Sequence, residues 1–312
     1  MTNLLIVGNA FTEEERGRLA GAHAAAFVSS PEDIAGMDTT LRTEVRAVAF
    51  KGHTPFGPEA MDALPNLGLI ANFGVGYDAI DVDAASARSV AVTNTPDVLN
   101  DDVADLAVGM MLAFSRDMVR GHALTISGGW AQQSLPLNRK MSGGTVGIVG
   151  LGRIGREIAD RLAAFKMDIH YFARSEKETP GWTYHSDVVS LAGAVDWLVI
   201  ALVGGEETRN FVGAEALEAL GSEGVVVNIS RGTTVDEGAL LDALEKRQLR
   251  GAALDVFLNE PDIDPRFRKL KNVHLQPHQG SGTVETRRAM AELQLANVTA
   301  FLEGKDLVTP VN

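Results

Sequence analysis

Three groups of residues in this 312-residue chain have types and spacings that could do chemistry. The first is Gly147 to Arg156, GIVGLGRIGR, which holds Gly150, Gly152 and Gly155 in a G-x-G-x-x-G pattern. An apolar run, Thr145 to Val149, precedes it, and Arg156 to Phe165 follows with apolar residues at helical spacing. Strand, tight turn and helix in that order suit a dinucleotide pyrophosphate. The first Gly permits the turn, the second lets backbone approach phosphate, and the third lets helix pack on strand. The helix start at Arg153 and Ile154 offers N–H groups and a partial positive charge to an anion. With 32 Gly in the chain the pattern alone is weak. The flanking strand and helix are what favour a nucleotide site over a structural glycine turn.

The second group reads which dinucleotide. An NAD site needs Asp or Glu at the end of the next strand, about 20 residues past the glycines, to bind the ribose hydroxyls. Here Tyr171-Phe172-Ala173-Arg174-Ser175 puts Ala173 where that carboxylate would stand. Arg174 can stack on adenine and pair with a 2′-phosphate, and Ser175 can donate to the same group. A missing carboxylate and an added cation favour NADP; the alternative is a surface Arg after a strand.

The third group comprises Arg231, Glu260 and His278. Arg231 follows the apolar run Val225 to Ile229, Glu260 follows Asp255 to Asn259, and His278 follows Val273 to Leu275. Each falls at a strand end, where ligands of open α/β sheets bind. Taken singly they are an Arg in a salt bridge, a solvated Glu and a loop His. Together they are a cation, an acid and an imidazole on one rim of one sheet. A further Gly pair lies in Asn72-Phe73-Gly74-Val75-Gly76-Tyr77-Asp78-Ala79. The helix after it is short and Asn94, not an acid, ends the next strand. A small anion clasp built from the N–H groups of Val75 and Gly76 is therefore preferred to a second nucleotide site. A purely structural turn remains open on these residues alone.

The elements that must position these groups point to two domains. The length is too great for one ordinary core, and 45% hydrophobic with 22% charged residues is a soluble globular composition. Apolar runs at Leu4–Val7, Ala47–Phe50, Leu67–Ala71 and Val90–Val92 alternate with helical stretches, including Thr12 to Leu19 and Pro58 to Leu64. Alternation of that kind indicates a parallel α/β domain. Thr95-Pro96-Asp97 breaks the pattern and reads as a crossing. Asp101 is expected to cap a helix with Val103, Leu106, Ala107, Met110, Met111 and Phe114 on its apolar face. A second helix, Met118 to Ile126, stops at Gly128-Gly129 and leaves Trp130 on an irregular arm. From Thr145 onward six strands are expected, the last at Val273 to Leu275, and a final helix starting at Thr283 can return to the first domain.

The fold expected is α/β, with two doubly wound parallel sheets: a flavodoxin-like substrate domain and a Rossmann nucleotide-binding domain. The boundaries are 1–98 plus 284–312 for the first and 99–283 for the second. A net charge of −13 argues against nucleic acid or an anionic membrane as partner. No cysteine is present, so thiolate catalysis and thiolate metal sites are excluded, and no metal site is expected. The first residues lack the basic n-region of a signal peptide, no apolar stretch reaches about 18 residues, and a cytoplasmic location is expected.

The chain resembles the D-2-hydroxyacid dehydrogenases, and within them the NADPH-dependent glyoxylate/hydroxypyruvate reductases and plant hydroxyphenylpyruvate reductases. The stretches that carry the resemblance are NFGVGYDAIDVDAA, VTNTPDVLNDDVADLAVGMML, GTVGIVGLGRIG, VVNISRGTTVDEGALLDAL, GAALDVFLNEP and LQPHQGSGTVETRRAM. It implies that His278 protonates the carbonyl oxygen while hydride leaves the nicotinamide. Glu260 would bond the other ring nitrogen and fix the tautomer. Arg231 would bind the substrate carboxylate or carbonyl and polarise it. Gly74, Val75 and Gly76 would form the carboxylate loop, with Lys51 on the substrate side adding charge or pointing to solvent. Ile229, Asp255 and His278 would join the glycines and residues 173–175 in contacting cofactor. One departure is Val203-Gly204-Gly205, where relatives carry a Pro-containing turn.

The resemblance therefore implies an NADPH-dependent reductase of a small 2-keto acid, glyoxylate or hydroxypyruvate, giving the D-2-hydroxy acid. It also implies a homodimer through the nucleotide-binding domains. An aromatic or longer keto acid, such as hydroxyphenylpyruvate or 2-ketogluconate, is the alternative. A dinucleotide-sensing corepressor-like protein is the remote one, disfavoured by retention of all three catalytic residues.

Overall fold

A computed structural model describes residues 2–312; Met1, where the first expected domain begins, lies outside them. The chain divides into two compact units, one running to Val98 and resuming at Thr283, the other spanning Leu99–Gly282.

In the first unit five strands, β1 (Leu4–Val7), β2 (Ala25–Val28), β3 (Ala47–Phe50), β4 (Leu69–Asn72) and β5 (Ala91–Thr93), form a parallel sheet. Their order is β2-β1-β3-β4-β5, the flavodoxin-like arrangement. Alternate residues of the inner strands feed two cores. Leu5, Val7, Val48, Phe50 and Ile70 face Ile34, Val45 at the end of α2 (Thr39–Glu44), Met61 of α3 (Pro58–Asp62) and Ala85 of α4 (Val82–Ala87). Leu4, Ile6, Ala47, Ala49, Leu69 and Ala71 face Leu19 of α1 (Glu13–Ala22) and Val298 of the last helix, Val284–Leu302. A sheet covered on both faces needs strands apolar throughout, and β1, β3 and β4 are wholly buried. The last helix is tied to the sheet by buried Gln294, whose Nε2 donates to the carbonyls of Phe50 and Ala71 at 3.2 and 2.8 Å.

The second unit opens with α5 (Asn100–Ser115) and α6 (Met118–Ile126). Seven parallel strands follow: β6 (Thr145–Val149), β7 (Asp168–Phe172), β8 (Thr183–His185), β9 (Trp197–Ile200), β10 (Val225–Asn228), β11 (Gly251–Leu254) and β12 (Val273–Leu275). Their order, β12-β11-β10-β9-β6-β7-β8, is the doubly wound dinucleotide order with one strand added at the β12 edge. The helix Arg153–Ala164 follows β6 and packs on α5. There Arg161 joins Asp101 and Asp105 at 2.6 Å each and Glu157 at 2.7 Å.

Two expectations about elements need correction. Seven strands form this sheet, not six, the additional one being β8, and β2 is likewise an additional strand in the first unit. Both are edge strands with partly exposed side chains, so neither shows the continuous apolar run of a strand buried on two faces. Asp101 does not cap α5. Leu99 occupies that position without a side-chain bond, and Asp101 lies in the first turn, where it accepts from Arg161.

Candidate active site

The glycine turn is shaped by approach distances. Gly150 sits at φ +100, a conformation L side chains rarely adopt, and a Cβ on Gly155 would stand 2.1 Å from the carbonyl oxygen of Gly150. The helix thus touches the strand it leaves, which only glycine allows. A Cβ on Gly152 meets nothing within 4 Å, so the turn is open on that side. Gly152 is also the N-cap residue, and no side chain caps the helix. An open turn at an uncapped helix start fits a dinucleotide pyrophosphate.

At the end of β7, Ala173 is buried and its carbonyl accepts from Tyr184 Oη at 3.4 Å. Arg174 and Ser175 are exposed beyond it. Lys177 Nζ lies 3.4 Å from Ser175 Oγ, a second cation that reading the sequence missed. The loop is braced from behind by Tyr171, whose hydroxyl accepts from Lys177 N at 2.8 Å and donates to its carbonyl at 3.1 Å. Arg156 stacks on Trp182 at 5.0 Å and donates to the carbonyl of Glu178.

On the rim of β10, β11 and β12 the three candidate residues follow adjacent strands. Glu260 and His278 meet directly, with Oε2 to Nδ1 at 2.6 Å. The other Glu260 oxygen accepts the N–H of Phe257 at 2.8 Å, so the carboxylate is fixed at both ends. His278 has a left-handed φ of +54. Its N–H donates to the Asp255 carbonyl at 2.9 Å. The next two N–H groups, of Gln279 and Gly280, donate to the Asp255 carboxylate at 2.6 and 2.8 Å. Asp255 is 1% exposed, and burial pushes its carboxyl up against the pull of those two donors. Its carboxylate therefore shapes the His278 turn, a role beyond the cofactor contact expected of it.

Arg231 leaves β10 through a buried polar network. Asn228 Nδ2 and Thr234 Oγ1 both donate to the Arg231 carbonyl, at 2.9 and 2.7 Å, while Asn228 Oδ1 accepts from Ser230 N and Oγ. Arg231 Nη1 donates to the Ser230 carbonyl at 2.8 Å. A Cβ on Gly232 would stand 2.0 Å from the carbonyl carbon of Phe257. The Arg231 loop and the Glu260 loop are thus in backbone contact. Glu237 adds a second tie, accepting Leu258 N at 2.9 Å, and burial pushes its carboxyl up. Ile229 is buried at the end of β10. Beside the Glu260–His278 pair lies a cavity of about 260 Å³, walled also by Phe257, Pro261, Ile263 and Leu275.

In the first unit Gly74, Val75 and Gly76 follow β4, with Gly74 at φ +152. Lys51 does not point to solvent. It is 8% exposed, its Nζ lies 2.7 Å from both oxygens of Glu15, and it sits 4.2 Å from the centre of the Phe73 ring. Burial lowers its pKa while Glu15 opposes that. The ammonium is engaged by the protein itself. In the Val203–Gly205 departure, Gly205 takes φ +146 and Thr208 Oγ1 closes the turn on the Val203 carbonyl at 2.6 Å.

Residues 108–280 match the model of the D-isomer specific 2-hydroxyacid dehydrogenase, NAD binding domain. Among known proteins, a glyoxylate/hydroxypyruvate reductase of Arabidopsis thaliana is 45% identical over 285 residues, 91% of each chain. The hydroxyphenylpyruvate reductase of Plectranthus scutellarioides is 45% identical over 86% of this chain and 85% of its own. The crystal structure of an NADPH-dependent glyoxylate/hydroxypyruvate reductase from Sinorhizobium meliloti, in complex with NADP and malonate, superposes with a TM-score of 0.94. That protein is 39% identical, with 100% of this chain and 97% of the other covered. With its glycine turn, its doubly wound sheet and relatives of this identity along nine-tenths of its length, the chain belongs to the D-isomer specific 2-hydroxyacid dehydrogenase family and is a 2-keto acid reductase with an NAD(P)-binding domain.

Proposed function

We propose that the protein uses NADPH to reduce glyoxylate or hydroxypyruvate to the D-2-hydroxy acid, with His278 as the proton donor. The observation that carries this reading is the 2.6 Å bond between His278 Nδ1 and Glu260 Oε2 on the rim of the nucleotide sheet. With Nδ1 held by the carboxylate, the ring has one orientation and presents Nε2 as the donor. Bound nicotinamide supplies the hydride. Arg231 holds and polarises the keto acid, a fixed charge placed where negative charge develops on oxygen. The Val75 and Gly76 N–H groups clasp the carboxylate. No substrate role is given to Lys51, whose charge Glu15 already takes.

Selection of NADPH rests on Ala173, Arg174 and Ser175, with Lys177 beside them. The glycines 150, 152 and 155 and the N–H groups of Arg153 and Ile154 hold the pyrophosphate, with Ile229 and Asp255 toward the nicotinamide. The relative of known structure is described as NADPH-dependent, which supports the same choice. Homodimerisation through the second unit is supported by the exposed apolar residues Met118, Val119, Ile126, Trp130 and Leu137, all on α6 and the arm that follows it.

A second reading, reduction of an arylpyruvate, rests on the apolar cavity beside Glu260 and His278. At about 260 Å³ it exceeds the roughly 150 Å³ that admits benzene in an apolar protein cavity. Loss of NADPH absorbance with glyoxylate, hydroxypyruvate and hydroxyphenylpyruvate, in the native protein and in His278→Ala, tests both. Glyoxylate or hydroxypyruvate is expected to give the highest kcat/KM, and His278→Ala to lower kcat about 10²–10⁴-fold with NADPH affinity retained. Near-native turnover by His278→Ala would remove the histidine from the acid role.

A further inference from the structure

The loop from Gly74 to Gly76 has its carbonyl groups turned into the protein by side chains that no catalytic reading uses. Asn72, the last residue of β4 and 4% exposed, donates through Nδ2 to the carbonyls of Gly74 at 3.2 Å and Gly76 at 2.9 Å. Asn94, just past β5, donates through Nδ2 to the carbonyl of Val75 at 2.9 Å. Thr95, fully buried, works on Gly74 from both sides: its N–H donates to the Gly74 carbonyl at 2.9 Å and its Oγ1 accepts the Gly74 N–H at 3.1 Å. Among the described residues no acceptor is found for the N–H of Val75 or of Gly76.

Peptide geometry links these facts. In a planar trans peptide the carbonyl of one residue and the N–H of the next point in opposite directions. A Gly74 carbonyl drawn inward by Asn72 and Thr95 therefore turns the Val75 N–H outward. A Val75 carbonyl drawn inward by Asn94 does the same for the Gly76 N–H. Each outward N–H has its own asparagine behind it.

We propose that Asn72 and Asn94 are positioning residues for the keto-acid carboxylate: they touch no substrate and act by holding the Val75 and Gly76 N–H groups outward before it binds. This rests on the reading of that loop as the carboxylate clasp. The same device recurs at the end of β10, where Asn228 draws in the Arg231 carbonyl. Hydrogen bonds from preset N–H groups to a carboxylate are charge-assisted and depend steeply on direction, so a loop free to turn binds the anion less well.

The test compares glyoxylate with its methyl ester, which lacks the charge, in the native protein, Asn72→Ala and Asn94→Ala, with NADPH in excess. The native protein is expected to prefer the acid. Each variant is expected to raise KM for glyoxylate about tenfold, equivalent to about 1.4 kcal/mol. Kinetics with the ester and the Kd for NADPH should stay within about twofold, a split that a general folding defect cannot produce. An unchanged acid-over-ester preference in variants that bind NADPH normally overturns the proposal. If the native protein itself does not prefer the acid, the clasp reading falls first and the proposal with it. Should buried Asn72 prove necessary for folding, Asn94→Ala at its partly exposed site decides between these outcomes alone.

Discussion

In the proposed selection of NADPH, Ala173, Arg174 and Ser175 carry the choice of cofactor in three side chains. With Ala173 buried and Arg174 exposed beside Ser175, the strand end offers cation and hydroxyl where a ribose-binding acid would otherwise stand. Arg174→Ala is expected to lower kcat/KM for NADPH about 10–100-fold and to leave NADH nearly unaffected, as loss of a charge-assisted phosphate contact requires. Parallel titrations with the two cofactors check this, and equal losses on both would assign Arg174 to something other than the 2′-phosphate. The positions of the candidate residues were legible because they sit at strand ends, where the pattern of apolar runs locates them. Their supports were not. Nothing in the sequence says that Asn72 bonds Gly76, that Thr234 closes on Arg231, or that Lys51 pairs with Glu15 across 36 positions. The Lys51 pair depends on how two distant segments meet, and the two local bonds depend on the backbone conformation of their turns, which residue types alone leave open.

At the scale of elements, β8 shows what edge position does to legibility. Thr183-Tyr184-His185 carries little apolar signal, yet it pairs with β7 and brings His185 Nε2 to 2.9 Å from His170 Nδ1. His185 Nδ1 is 3.0 Å from Ser190 Oγ, and His170 Nε2 lies 3.5 Å from Asp168. Burial first, and His170 second, lower the pKa of His185 below its ordinary value of 6.5, with Asp187 opposing. The folded chain thus takes this proton at lower pH than the unfolded chain does. Its contribution to stability is present above about pH 6.5 and is lost as pH falls, because the unfolded state then binds more protons. Thermal unfolding followed from pH 7.5 to 5.5 should show a fall in Tm that is smaller in His185→Gln. A fall of the same size in the variant would exonerate the pair. The inner strands posed no such difficulty: β1, β3, β9 and β10 are wholly buried runs, and their sequence says so directly.

For the whole molecule, the apolar residues left in solvent are informative because they are concentrated. Trp130 is 69% exposed and Leu137 fully so, with Met118, Val119 and Ile126 on the adjoining helix. Exposed apolar groups gathered on one arm mark an interaction site, whereas single ones are ordinary. If the proposed dimer forms through this arm, the double variant Trp130→Ser/Leu137→Ser is expected to give a monomer mass in light scattering where the native protein gives a dimer mass; equal masses for the two would refute an interface there. Among the described residues no helix is long and apolar enough to cross a membrane.

The contact of Gly232 with the backbone of Phe257 has a consequence for how this chain can change. It joins the Arg231 loop to the Glu260 loop, and Glu260 in turn holds His278, so the cation, the carboxylate and the imidazole are fastened into one block. An altered backbone at any of the three is therefore expected to disturb the other two. Under selection for a new keto acid, substitutions should accumulate first outside residues 228–234 and 257–260, on surfaces whose repacking leaves the three proposed catalytic groups still. If these three groups carry the chemistry as proposed, the contacts that hold them together also decide where novelty is admitted.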